Sequence, residues 1–273
     1  MKLYDTLKTK VGLKKVAHAT TVRWDEEDNT VLCVKYHATD IVKLYPNGSV
    51  RLDSGGWRVP ITRERIREYS GINIQQFEGL WFVYKDGKKD LTPYYDGMLL
   101  DARGAVVMPR EETAKDALRR KHALDRAVRQ YISNFHAALK RQVETTGVMN
   151  TPSGGDCWYC SMFGDSDVEH ILNHIKEDYF VPSLLLNAMK ERRSGTSWQS
   201  GRPTEDAVRK NVSRDWFNAE NEFKNKGVTR SFFVDIALRR YFSKRKWRLL
   251  EIFDPKLFKK AHAEYRAEKE SET

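Results

Sequence analysis

Residues 20–53 read TTVRWDEEDNTVLCVKYHATDIVKLYPNGSVRLD, and the spacing of their apolar residues decides the class of fold. TTVRWD, NTVLCVKY, DIVKLY and SVRLD are short runs rich in β-branched and aromatic residues, which favour a pleated, half-buried surface. Asp25-Glu26-Glu27-Asp28-Asn29 separates the first two runs, and Pro46-Asn47-Gly48 separates the last two. Asn-Gly is a strong hairpin signal because both residues tolerate positive φ. The stretch therefore predicts consecutive antiparallel strands.

Working outward, Ser54-Gly55-Gly56-Trp57 reads as a bend between a strand and a helix. Thr62 is the expected cap of that helix, RERIREYS its body and Gly71 its stop. Strand character resumes in GLWFVY, a Lys85-Asp86-Gly87 turn follows, and GMLLDARGAVV carries another turn at Arg103-Gly104. Trp57 and Trp81 are expected in the sheet core, and Cys33 is expected to be buried within its strand.

At Pro109 the period changes. Leu124, Val128, Tyr131/Ile132, Phe135 and Leu139 recur at three- and four-residue spacing, which marks an amphipathic helix over about 111–143. A second helix is expected over about 168–180, interrupted by Pro182, with SLLLNAMKER continuing as a third. Residues 193–203, RSGTSWQSGRP, read as a polar loop or linker. Beyond it Val208, Val212, Trp216, Ala219 and Phe223 step at helical spacing between a Thr204 cap and a Gly227 stop. Further helices are expected over 229–252 and from Pro255 into the charged tail. The pattern predicts an α+β chain: an antiparallel β-rich domain at 1–109 and a helical domain at 110–273.

The bulk composition fits. A chain of 273 residues holds one large domain or two modest ones. No apolar run approaches the length of about 20 residues that a membrane span needs. The N-terminus alternates basic and apolar residues without the apolar core of a secretory signal. Three cysteines, two of them close together, fit a reducing compartment better than a disulfide framework. A cytoplasmic protein with no membrane partner is expected. Net charge is +10, unevenly placed: 17 Lys+Arg against 14 Asp+Glu in 1–109, then 31 against 24 in the remainder. Such a balance favours contact with polyanions.

After its first helix, the helical part contains GGDCWYCSMFGDSDVEHILNHI at 154–175. A tight turn lets both thiolates of a CxxC face one ion, and histidines four apart share a helix face. Cys157-x2-Cys160-x9-His170-x3-His174 meets both conditions and predicts a structural zinc site. Four protein ligands leave no vacancy for catalysis, and Glu169 does not stand in the His-x-Glu or HExxH order of zinc enzymes. Asp156, Glu177 and Asp178 are the expected partners that orient the imidazoles. The ion is expected to fasten the second helix to the first.

Residues 239–248, RRYFSKRKWR, place six cations and three aromatics in ten positions. The stretch reads in two ways. Arg239, Arg240, Lys244, Arg245, Lys246 and Arg248 can neutralise phosphates, with Tyr241 and Trp247 as rings on which bases stack. Equally, Val234, Leu238, Phe242 and Leu249 form a core-facing stripe, which makes the cations a solvated helix face. Arg119, Arg120, Arg126 and Arg129 could extend a basic surface.

Among other chemistry, the chain has no GxGxxG after a strand, no GxxxxGK[ST] and no GxSxG. Asp40, Asp53, Glu78 and Lys85 can be drawn into a metal-dependent nuclease, though their spacing does not single them out. The segment from KKVAHATTVRW to SGGWRVPITRERI, through His37-Ala38-Thr39-Asp40-Ile41-Val42, Gly55-Gly56-Trp57 and Thr62 to Ile66, resembles uncharacterised proteins of tailed bacteriophages. That resemblance spans about residues 14–85 and implies a viral protein in a bacterial cytoplasm, with no activity to carry over. Together these features lead us to expect a zinc-stabilised, non-enzymatic nucleic-acid-binding protein of phage type. The alternatives are a phage factor that engages a host or virion protein and, further off, a metal-dependent nuclease.

Overall fold

The computed structural model describes residues 2–84, 91–107, 112–162, 167–194 and 204–271. The expected Lys85-Asp86-Gly87 turn and residues 195–203 of the expected linker lie outside them. The chain forms two compact units, 1–119 and 120–273.

The first unit begins with helix α1 (Lys2–Lys8), which the sequence did not announce. Its Leu7 is buried in the sheet core and Leu3 packs against the same core, so an i, i+4 apolar pair docks a helix of only two turns. Strands β1 (Thr20–Trp24), β2 (Leu32–Tyr36), β3 (Thr39–Leu44) and β4 (Val50–Leu52) then form an antiparallel meander. The acidic run after β1 closes its turn with its own side chains: Asp25 accepts from the amide of Glu27 and Asp28 from that of Thr30. Between β3 and β4, Asn47 accepts from the amide of Ser49, and Gly48 adopts φ 85°. Helix α2 (Pro60–Ser70) follows, then β5 (Asn73–Phe77), β6 (Leu80–Tyr84) and β7 (Thr92–Pro93), which make a separate three-stranded sheet. Strand β8 (Met98–Leu100) returns to β4 and completes a five-stranded sheet of order β1-β2-β3-β4-β8.

The register explains the core. Trp24 pairs with Leu32, Leu32 with Leu44, Leu44 with Val50 and Val50 with Leu100; Val22, Val34, Val42, Leu52 and Met98 form a parallel row. Because side chains alternate across a strand, both rows lie on one face, and Ile66 and Tyr69 of α2 join the same core. The other face is polar at Cys33 and Lys43. Cys33 is buried as expected, and its thiol meets Asp25 at 3.1 Å while Lys43 pairs with the same carboxylate. Trp81 is core, but Trp57 is 71% exposed, which corrects its assignment to the core. Thr62 does not cap α2 either: Val59 holds that position without a side-chain bond, Pro60 opens the helix, and Thr62 is buried. Gly71 ends α2 in the left-handed conformation, as its position implied.

The second unit is helical. Its helices are α3 (Ala114–Thr146), whose first turns precede the unit boundary, then α4 (Trp158–Met162), α5 (Val168–Lys176), α6 (Pro182–Ser194), α7 (Glu205–Lys224), α8 (Phe232–Ile252) and α9 (Pro255–Ser271). The expected α3 stripe is buried at Leu124, Tyr131, Ile132, Phe135 and Leu139. Tyr131 meets Phe135, Phe180 and Phe242 at ring separations of 5.9, 5.4 and 5.7 Å, in the range that favours tilted and edge-on packing. Helix α8 packs against α5, α6 and α7 and buries Val234, Leu238, Phe242 and Leu249, the stripe read from its sequence. The β-rich half followed by a helical half is thus the observed α+β architecture.

One charge stands out within the helical unit. Asp215 of α7 is 0% exposed, and Arg192 and Arg193 of α6 both bond its carboxylate. Removing that buried carboxylate takes away the charge that both guanidinium groups share. Asp215→Ala is expected to cost about 3 kcal/mol or more, read as a lower denaturant midpoint with an unchanged slope.

Candidate metal centre

Each of the four expected ligands is delivered by a local device. Helix α5 is capped by Asp167, whose side chain accepts from the amides of Glu169 and His170. From that start His170 and His174 fall one turn apart on the same face. Cys157 immediately precedes the five-residue α4 and Cys160 lies in the middle of it, where the amide of Cys160 points at the Cys157 sulfur from 3.5 Å.

All four donor atoms lie within 4.8 Å of one another. Cys157 Sγ is 3.4 Å from His170 Nε2 and 3.7 Å from His174 Nε2, and Cys160 Sγ is 3.4 Å from both. The two Nε2 atoms are 2.9 Å apart. A tetrahedral ion about 2.3 Å from sulfur and about 2.0 Å from nitrogen requires edges of about 3.6 Å between sulfur and nitrogen and about 3.3 Å between nitrogens. The residues fit such an ion, and the group can hold a metal.

Electrostatics point the same way. Burial holds the His170 imidazole below its ordinary value, and burial together with the adjacent His170 lowers His174 to about 4, so the surroundings favour the uncharged form of both rings. Burial and the neighbouring Cys157 push the Cys160 thiol up to about 12. Neutral imidazole is the ligand form, and a dication at the centre would displace the thiol proton.

The surroundings differ from expectation. Asp156 accepts from the amide and hydroxyl of Ser183 at 3.0 and 2.5 Å, which ties the loop before Cys157 to the start of α6. Asp178 bonds Asn134 and Arg266, and Glu177 caps α5. No imidazole bond to any of these three carboxylates is observed among the described residues. The support comes instead from Tyr179, which sequence reading had left inside a longer helix. Helix α5 stops at Lys176 because Asp178 turns left-handed at φ 45° and the Tyr179 amide reaches back to the carbonyl of His174. That reversal stacks Tyr179 on His174, with ring centroids 4.9 Å apart and planes 10° apart, and its hydroxyl donates to the carbonyl of Asp156. Asn187 of α6 bonds the carbonyl of Cys160 at 2.9 Å. The cluster therefore joins α4 to α5 and is held against α6. Its bond to α3 runs indirectly, through Tyr131 to the carbonyl of Tyr179.

No match appears when the chain is compared with protein-family models, curated proteins and solved structures.

The basic stretch of α8 is largely engaged within the protein. Tyr241 is fully buried, so its ring presents no face to a base, which corrects its assignment as a stacking platform. Arg245 is 7% exposed, lies over the Tyr241 ring at 3.8 Å and bonds Glu191 at 2.8 Å, so it is a structural cation. Lys244 pairs with Glu191, Lys246 with Asp125 and Arg239 with Asp235. Arg248 and Lys244 are exposed, and Arg240 and Trp247 are half-buried. As for the nuclease arrangement, Asp40 pairs with Arg23, Asp53 accepts from the amide of Gly55, Glu78 lies in the β5–β6 turn and Lys85 lies outside the described residues. Among the described residues the Cys/His cluster is the one group of three or more such donors able to converge on an ion.

The purified protein is expected to carry one divalent ion per chain by elemental analysis. Chelation, or Cys160→Ser, should lower Tm by about 10 °C or more. Because protons compete for the thiolates, affinity should fall steadily from about pH 8 to about pH 5. Tyr179→Ala should loosen the ion about tenfold.

Proposed function

We propose that the protein is a zinc-stabilised, non-enzymatic nucleic-acid-binding protein. Two thiolates with two imidazoles in a tetrahedron are a donor set suited to zinc, and four protein ligands leave no position for water or substrate. The ion in this reading serves the fold. It secures helices α4 and α5 and the glycine-rich loop before them, which has little apolar material of its own.

The observation that carries nucleic-acid binding is a groove between α3 and α8. Arg129, Arg239 and Lys246 line it above an apolar floor that includes Val128 and Phe242, and Asp125 is the carboxylate among its described lining. Arg126 is exposed one turn before Arg129. The ion pairs that Lys246 and Arg239 make at 2.8 and 2.6 Å lie near the surface. Such pairs contribute about 0–1 kcal/mol, so an arriving phosphate can replace a carboxylate at small cost. Binding of this kind tracks a backbone and releases counterions. The likeness of residues 14–85 to tailed-phage proteins supports a setting in the cytoplasm of an infected bacterium. A phage factor that grips a host or virion protein is the second reading, favoured by the exposed rings of Phe217 and Phe232.

Titration with mixed-sequence DNA and RNA at two salt concentrations checks the first reading. Affinity should fall steeply as salt rises, and the Arg129→Ala/Lys246→Ala double variant should lower the logarithmic salt slope by about 1 to 2. Absence of binding at low salt rejects nucleic acid as the partner and leaves the protein-partner reading.

A further inference from the structure

The first unit contains a cleft whose construction asks for a ligand of its own. It has a volume of about 400 Å³ and lies where the β2–β3 hairpin, the Ser54–Trp57 bend and the first turn of α2 meet. Three stretches that sequence reading singled out separately, around His37, Gly55 and Thr62, thus border one hollow. Tyr36, Ile41, Val59 and Ile61 give it apolar walls. Trp57 stands at its edge with most of its ring in solvent.

The backbone is shaped to make this space. Ile41 is the extra residue of a β-bulge: Val34 faces Val42 and Lys35 faces Asp40, so Ile41 has no partner across the ladder. Bulges of this sort re-aim a side chain. His37 opens the two-residue hairpin loop at φ 53°, a conformation that is costly for a residue with a Cβ. Gly55, at φ 58°, presses so close to β3 that a Cβ there would meet Thr39 Oγ1 at 2.5 Å.

Its polar groups narrow the chemistry. Ser54 is 1% exposed and lines the cleft, and its hydroxyl has no hydrogen-bond partner among the described residues. A buried hydroxyl left without a partner costs free energy that an incoming donor or acceptor recovers. Thr39, Thr62 and the His37 imidazole add further donors and acceptors, and α2 starts at the same rim with no side chain capping its first amides. No Lys, Arg, Asp or Glu is among the described residues that line the cleft. A phosphate or a charged amino acid would find no Lys, Arg, Asp or Glu among the described lining residues to pair with, whereas a flat, uncharged ring with a hydrogen-bonding edge would find a face, walls and partners.

We infer that this cleft binds a free, uncharged heterocycle of the nucleobase or nucleoside class, stacked on Trp57 and hydrogen-bonded at its edge to Ser54. The site is independent of the groove in the helical unit. Calorimetric titration of the full-length protein with adenosine, guanosine, cytidine and uridine should find at least one that binds one-to-one with Kd below about 1 mM. Trp57→Ala should weaken it about tenfold, in line with the contribution of base–aromatic stacking. Ser54→Ala should act with opposite signs on two readouts: Tm rises, because an unpartnered hydroxyl is gone, and affinity falls about fivefold. The inference is overturned if none of the four nucleosides binds, or if binding survives Trp57→Ala. It is overturned too if toluene binds as well as the nucleosides, which would make the cleft a plain apolar hollow. Tighter binding of octathymidylate that is lost in Trp57→Ala would overturn the free ligand in favour of a strand.

Discussion

Two imidazoles whose nitrogens face each other at 2.9 Å, with two sulfurs within 3.7 Å of them, crowd four electron-rich atoms into one small volume. A cation at the centre converts that crowding into attraction, and much of the helical unit is arranged around this point. Helix α4 has five residues, far below the length at which a helix persists alone. The chain before it is rich in glycine and serine and offers little to bury. What holds both is the cluster, together with the bonds that Asp156, Tyr179 and Asn187 make around it. The left-handed residue at Asp178 belongs to the same arrangement, since it ends α5 where Tyr179 can stack on His174.

The parts of the fold legible in the sequence were those in which one short-range signal dominates. Strands β1 to β4 announce themselves through β-branched runs and an Asn-Gly turn, α3 through its stripe, and the metal ligands through spacing alone. Strand β5, NIQQF, was not legible because it is mostly polar and exposed, and its strand character comes from pairing with the apolar β6 through a Glu78-Gly79 turn. Helix α1 was missed for a related reason: its seven residues are too few to show a period, and docking of Leu7 into the sheet core fixes it. The end of α5 depends on a backbone reversal at an aspartate, where composition would lead one to look for glycine.

The basic stretch of α8 shows a different limit. Helical periodicity correctly separated the buried stripe from the cations, but it could not reveal which cations meet carboxylates elsewhere in the chain. Glu191 on α6 and Asp125 on α3 take up Lys244, Arg245 and Lys246, and neither partner is near α8 in sequence. Tyr241 is a related case. It reads as one of three rings in a basic run, yet its position places it in the core, where Arg245 covers it. Trp57 errs the other way, a large ring expected inside and found at the rim of a cleft.

Strand β8 joins the meander from far along the chain, after α2 and the whole three-stranded sheet have intervened. During synthesis the open edge of β4 therefore waits through the making of roughly fifty residues before Met98 and Leu100 reach Leu52 and Val50. In that interval its unpaired amides and carbonyls are open to any extended chain nearby. Non-local pairing of this kind is slow because the closing loop must lose its freedom first. The nascent protein is thus most exposed to mispairing between translation of β4 and arrival of β8, and truncations ending in that window should be the ones that aggregate.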